Sequence, residues 1–392
     1  MIKLTIRKDR IGPVLGRHPW IFSGAITNIP EGVANGTPVH LTDDRGAFLA
    51  QGYFNSYSQM AVRVWSYDEK EEINEQFFVH RVEKAYSLRK TYVESKKTDS
   101  YRLINSESDF LPGLIVDKYG DYLVVQCHTA GIEFYKDMIV AALKKVLKPK
   151  GIYERSDVRD RDSDKNESKS GLLDGKVPEL ITISENGFKF LVNVISGQKT
   201  GFFLDQRDKR AAIMKYSDGK NVLNCFSYTG GFSVYALAGG AKKVVSVDVS
   251  ESALALAKEN VKLNGFDEKK CEFIKEDVKK YLGEIKEGEF QVIILDPPAF
   301  IKDRKKIEEG LMGYRKINES ALRNMKTGDV LVSCSCSAHL KLLDFRYMLS
   351  MASRSAQRTF RILETYTHGI DHPELVAFTE GEYLKVVFGI VG

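Results

Sequence analysis

A chain of 392 residues is too long for one ordinary domain and comfortable for two or three. A hydrophobic content of 43% excludes a chain disordered throughout, and a formal net charge of +5 permits a nucleic-acid partner without demanding one. Five cysteines, an odd number without paired spacing, give no disulfide framework, and no apolar run reaches membrane-spanning length, so a soluble, reduced, cytoplasmic protein with no membrane association is expected.

The opening MIKLTIRKDRIG alternates and has no apolar core of signal-peptide length. Residues 1–75 read as short strands between turns such as ANG and DDRG, a small β-barrel. From Glu71 the period becomes helical through EEINEQFFVHRVEKAYSLRKTYVES. Residues 76–185 then combine strands, a Gly-Asp turn and an amphipathic helix ending at Pro149, an α+β region. Within it, the charged and Ser-rich run ERSDVRDRDSDKNESKSGLLDGKVPE reads as an exposed, mobile excursion. Residues 186–392 alternate strand and helix: NVLNCF, GFSVYALAGG, KVVSVDVS, ESALALAKENVKLNG, CEFIKED, FQVIILDPP and GDVLVSCSC. Such alternation predicts a doubly wound α/β sheet with ligands at the carboxyl ends of its strands.

In that region a buried strand containing Asn224 runs into Ser227-Tyr228-Thr229-Gly230-Gly231 and then a helix. The dinucleotide fingerprint G-x-G-x-x-G is absent, which favours a nucleoside without a pyrophosphate, S-adenosylmethionine. Asp248 at the end of the next strand suits the ribose hydroxyls, and Asp277 at the third suits the adenine amino group. On turn geometry alone the two glycines would mean no more than a tight βα connection; the two carboxylates favour a ligand.

The apolar strand VIIL ends in Asp296-Pro297-Pro298, a stiff turn presenting a carboxylate. Asp-Pro-Pro-aromatic is the pattern of methyltransferases acting on planar nitrogens, but here Ala299 displaces Phe300 by one place. The next strand ends in Cys334 and Cys336, and a thiolate there could add to carbon 6 of a pyrimidine and activate carbon 5 for methylation. The competing reading of a cysteine is a small buried apolar residue, which is adopted for Cys127, Cys225 and Cys271. A zinc site from Cys334, Cys336 and His339 lacks further ligands nearby, so no metal is expected.

The segments SGQKTGFFLDQRDKR, NCFSYTGGFSVYA, SVDVS, LDPPAF, SCSCS and DHPELVAFTEGEYLKVVFG together resemble the RlmI-like (YccW-like) family of large-subunit ribosomal RNA cytosine-5 methyltransferases. LGRHPWIFSGAI resembles the opening of that family's PUA-like domain. The resemblance implies a PUA-like RNA-binding domain over 1–75, a central α+β domain over 76–185 and a Rossmann-like, class I S-adenosylmethionine-dependent methyltransferase domain over 186–392. It assigns the nucleophile to Cys336, the base-edge carboxylate to Asp296, the cofactor turn to Asn224 through Gly231 and the ribose contact to Asp248. Phe203 and Gln206 are expected near the cofactor, with Asp296 also lining that site.

The implied partner is 23S ribosomal RNA, and a homodimer is compatible with the chain. Arg7, Arg17, Lys199, Arg207 and Lys302 are the expected RNA contacts, although Lys199, Arg207 and Arg210 could equally form a solvated basic face. Trp20 and Phe22 are assigned to the barrel core, and IKDRKKIEEGLMGYRKINES to a mobile lid or RNA contact. Competing readings are the same fold acting on uracil C5 or a base nitrogen, and a non-catalytic RNA-binding assembly factor. The intact Asp248, Asp296 and Cys336 argue against the last.

Overall fold

The computed structural model describes residues 1–156 and 169–392, so the middle of the charged excursion lies outside the described residues. These residues form two compact units. One holds Met1–Ile183, Val192–Leu204 and Ile370–Gly381, and the other holds Ser184–Leu191, Asp205–Gly369 and Glu382–Gly392.

The first unit begins with β1 (Ile2–Thr5), α1 (Gly12–Leu15), β2 (Trp20–Ile21), β3 (Pro38–Thr42), β4 (Phe48–Phe54) and β5 (Val62–Ser66), in the sheet order β1-β3-β4-β5-β2. Alternation along the strands buries Leu4, Val39, Leu41, Val62 and Val64. Trp20 is not part of that core. It lies on a two-residue edge strand, packs edge-on against Phe378 at 4.6 Å between centroids, and donates its indole N–H to Glu107 at 2.8 Å. Phe22 is 47% exposed, so the core assignment made from the sequence is corrected for both aromatics.

There follow α2 (Glu75–Tyr92), β6 (Tyr101–Asn105), β7 (Leu114–Tyr119), β8 (Tyr122–Cys127), α3 (Ala130–Phe134), α4 (Lys136–Leu147), β9 (Gly151–Arg155) and β10 (Ser170–Gly175). Asn74 caps α2 by accepting from Phe77 N. The sheet order is β10-β9-β8-β7-β6, and the pairing of β9 with β10 shows that part of the predicted excursion is strand. Tyr53 and Trp65 of the first sheet are buried in the same cluster as Phe77, Phe78, Ile139 and Leu143, with Trp65 5.7 Å from Phe78 and 5.1 Å from Tyr135. Each such aromatic pair contributes about 0.5–1.5 kcal/mol beyond its area, which joins the two sheets into one unit.

A hairpin of β11 (Leu180–Glu185) and β12 (Phe188–Asn193) precedes the second unit's main elements. These are α5 (Arg207–Ser217), β13 (Asn221–Cys225), α6 (Gly231–Ala238), β14 (Lys243–Asp248), α7 (Glu251–Leu263), β15 (Cys271–Lys275), α8 (Val278–Glu284), β16 (Val292–Leu295), α9 (Ile307–Arg323), β17 (Val330–Ser335), α10 (Leu342–Ser355), β18 (Phe360–Tyr366) and β19 (Lys385–Val391). The sheet order is β15-β14-β13-β16-β17-β19-β18, parallel except that β19 runs antiparallel to both its neighbours. The central strands are buried throughout, as strands covered on both faces must be. The chain leaves β13 in one direction to β14 and reaches β16 on the other side. The switch point that favours ligand binding therefore lies outside the ends of β13 and β16.

Ile307 onward is not a mobile lid. Tyr314, Ile317, Ala321 and Leu322 are buried on one face of α9, at the 3–4-residue spacing of a packed helix. Residues 302–306 ahead of it are exposed.

Candidate active site

The turn after β13 alternates into left-handed backbone, with φ of 57° at Phe226, 46° at Tyr228 and 76° at Gly230. Non-glycine residues held there store strain of about 1–3 kcal/mol each and persist only where the surroundings enforce it. Asp248, at the end of β14, does so: Oδ2 accepts from Tyr228 N and Oδ1 from Ser250 N, both at 2.9 Å. Gly230 and Gly231 are required by packing as well. A Cβ on Gly230 would stand 2.8 Å from Ala257 Cβ, and one on Gly231 2.8 Å from Arg210 Cδ.

Around this turn several buried polar atoms have no protein partner: Ser227 Oγ, Thr229 Oγ1 and Asn224 Oδ1, while Asn224 Nδ2 donates to Ser233 Oγ at 2.9 Å. Orphaned buried hydroxyls and carbonyls beside a carboxylate suit a polar, hydroxyl-bearing ligand. Asp277 is exposed and caps α8, its Oδ1 accepting from Lys279 N and Lys280 N.

Asp296 follows β16, and its Oδ1 accepts from Gln206 Nε2 at 3.0 Å. β17 lies beside β16 with Leu295 opposite Ser333. The two cysteines do not share one environment, which corrects their joint placement at the crevice mouth. Cys334 is wholly buried inside β17 opposite Val386, and burial, then the Asp296 charge, pushes its thiol well above the ordinary range. Cys336 lies one residue beyond the strand, is half-buried, and its Sγ–H points to Pro297 O at 3.8 Å. Burial keeps the Cys334 thiol protonated, whereas Cys336 is half-buried beside the Asp296-Pro297 turn.

Sequence reasoning missed the groups around it. Ser337 Oγ bonds Tyr314 OH at 2.9 Å and accepts from Ile301 N at 3.1 Å. The buried Lys385 Nζ donates to Ser337 O at 2.7 Å and Tyr383 O at 2.9 Å. Tyr383 OH donates to Asp205 Oδ2 at 2.6 Å, and the buried Lys209 Nζ to Asp205 O at 2.7 Å. None of these has a local signature; a lysine opening the apolar strand KVVFGIV was the one visible irregularity.

An S-adenosylmethionine-dependent methyltransferase family profile matches residues 156–375, and a PUA-like domain profile matches residues 4–67. Ribosomal RNA large subunit methyltransferase I of Tolumonas auensis is 42% identical over 384 residues, 97% of each chain. The protein of the same name in Cronobacter sakazakii is 40% identical over 387 residues, 98% of each. The chain belongs to this family. The crystal structure of SMU.776 complexed with SAH covers the whole of both chains at 26% identity and a TM-score of 0.86. S-adenosylmethionine is the family's cofactor.

The other expected contacts divide. Arg7 is exposed and paired with Asp9 at 3.2 Å, Arg17 is exposed with its guanidinium 4.6 Å from the Tyr67 ring centroid, and Lys302 is exposed. Arg207 is corrected: it is buried and 3.8 Å from the buried Glu185, which Arg210 engages through two nitrogens at 2.8 and 2.6 Å. Neither arginine is a solvated basic face. Lys199 and Phe203 belong to the first unit, where Lys199 Nζ is 4.8 Å from the Phe203 centroid. Among the described residues, Cys127, Glu133 and Glu154 cluster with metal-like spacing, but Lys136 Nζ stands 2.7 Å from Glu133 and 2.9 Å from Glu154. No helix among the described residues is long and apolar enough to cross a membrane.

Proposed function

We propose that the chain methylates carbon 5 of a cytosine in 23S ribosomal RNA in the cytoplasm, with Cys336 as covalent nucleophile. Residues 1–75 would bind RNA, 76–185 would support it, and 186–392 would carry the chemistry. The observation that carries the reading is the unequal pair of cysteines, with only Cys336 half-exposed beside Asp296. Methylation of a base nitrogen needs no thiol.

Bound in the turn, S-adenosylmethionine supplies the methyl group. Asp248 would take the ribose hydroxyls, with Asn224, Ser227, Tyr228, Gly230 and Gly231 lining the cofactor and Asp277 near the adenine. Cys336 loses its proton to water, and its sulfur pair forms a bond to C6 of the cytosine. The C5–C6 π pair moves toward N3, where Asp296 hydrogen-bonds the ring edge as charge builds. The electron-rich C5 would take the methyl group, with the methyl–sulfur bonding pair leaving on S-adenosylhomocysteine; a base then removes the C5 proton, and the pair so released expels the Cys336 thiolate and restores the ring. A target cytosine inside a helix must first leave its stack, at about a few kcal/mol.

The experiment is Cys336→Ala with methyl-tritiated cofactor and unmodified large-subunit RNA. Transfer should fall by roughly 10⁴-fold or more, as for removal of other covalent nucleophiles. Full retained transfer would refute the thiol route, and label recovered on a nitrogen or on uracil would refute the cytosine assignment.

A further inference from the structure

Cys336 has a neighbour that favours its neutral thiol: the Pro297 carbonyl accepts its S–H. A nucleophile so placed needs a nearby cation. Across the ladder from β17, Lys385 stands directly opposite Ser335, the residue before Cys336, and donates to the carbonyl of Ser337, the residue after it. Its second acceptor, Tyr383 O, is also an uncharged carbonyl. The side chain is buried at 0% residue exposure, in a position where an apolar residue would be usual.

We propose that Lys385 is a positioning residue for Cys336: its ammonium, held between the carbonyls of Ser337 and Tyr383, fixes the turn after β17 and supplies the buried positive charge that favours the thiolate. The inference rests on Cys336 being the nucleophile. Burial, reinforced by Lys341 and opposed by Glu382 and Cys336, brings the Lys385 ammonium down to about 8. Two carbonyls solvate this cation, and Cys336 joins Glu382 as a counterion when it ionises. Tyr314, pushed up to about 12 by burial and then by Cys336, stays neutral; Lys209 faces Asp205, Asp208 and the buried Cys334.

The test is the pH dependence of Cys336 alkylation by iodoacetamide in the intact chain without RNA or cofactor, read on the Cys336 peptide by mass spectrometry. In this step the thiol proton goes to water, the thiolate forms an S–CH₂ bond and iodide leaves. The wild-type midpoint should lie about one unit below the ordinary thiol value of about 8.5. Lys385→Met should raise it by about one unit, slowing alkylation about tenfold at neutral pH, while Lys385→Arg holds the wild-type midpoint. A wild-type midpoint at or above the ordinary value overturns the proposal whether or not the methionine variant folds. So does a folded Lys385→Met chain with the wild-type profile. Because no methyl transfer is measured, a failure of the nucleophile assignment would show separately, as full activity of Cys336→Ala while Cys336 of the wild-type chain keeps its lowered alkylation midpoint.

Discussion

Replacing Glu185 by glutamine tests whether the arginines of DQRDKR belong to the interior. Glu185 is wholly buried. Oε1 accepts from Arg210 Nε at 2.8 Å and Tyr235 OH at 3.0 Å, while Oε2 accepts from Arg210 Nη2 at 2.6 Å and lies 3.8 Å from Arg207 Nε. Glutamine keeps one acceptor oxygen and turns an NH₂ toward a guanidinium, donor against donor, with the negative charge gone. Breaking one side of a buried ion pair costs about 3–5 kcal/mol. With a urea m-value of about 2–3 kcal/mol/M for a unit of this size, the midpoint should drop by about 1–2 M. The two units need not unfold together. Both tryptophans, Trp20 and Trp65, lie in the first unit, so tryptophan fluorescence follows that unit. The second unit's transition is the one that S-adenosylhomocysteine shifts upward, followed by circular dichroism. The expected result is a large drop in that transition alone. A shift below about 0.2 M, together with weakened RNA binding in Arg207→Met, would refute the interior assignment and restore Arg207 as an RNA contact.

Three further outcomes are expected. Asp248→Ala removes the acceptor for Tyr228 N and the proposed ribose contact, so S-adenosylhomocysteine affinity by calorimetry should fall about 10–100-fold; unchanged affinity would exclude Asp248 from the site. Gly230→Ala places a Cβ 2.8 Å from Ala257 Cβ at a φ of 76°, and the second unit's urea transition should lose about 1–3 kcal/mol; a neutral result would mean the turn relaxes freely. Cys334→Ala should retain methyl transfer within about threefold despite some loss of stability, because the buried thiol stays protonated; a loss comparable to that of Cys336→Ala would make it a participant.

The second unit was legible because its signals are local. Fully apolar runs of strand length, glycine turns and acidic residues at strand ends placed Asp248 and Asp296 without any tertiary information. The cysteines were not separable that way. Two residues apart on a strand, they should share a face, and their difference comes from where pairing stops: Cys334 still opposes Val386, whereas Ser335 is the last residue of β17. Arg207 and Arg210 looked like a basic helical face because their carboxylate partner lies in another hairpin, 25 residues from Arg210 along the chain. Lys209 and Tyr314 were invisible for the same reason, and Lys385 showed only as a lysine opening an apolar strand. A buried polar group is defined by distant acceptors, and composition says nothing of those.

The two prolines after Asp296 give this site its opening. Proline has no N–H to donate to a neighbouring strand. The β16–β17 ladder accordingly ends at Leu295 opposite Ser333, just before Asp296-Pro297-Pro298. On the other side of β17 the ladder with β19 continues two residues further, to Ser335 opposite Lys385. β17 therefore loses its partner on one flank while remaining held on the other, and in that interval the chain presents the Asp296 carboxylate, the Pro297 carbonyl and the Cys336 thiol. A hydrogen-bonding residue at Pro297 could extend the ladder toward Ser335 and narrow that gap. The double proline thus ends the pairing of two adjacent parallel strands just where Asp296 and Cys336 follow them.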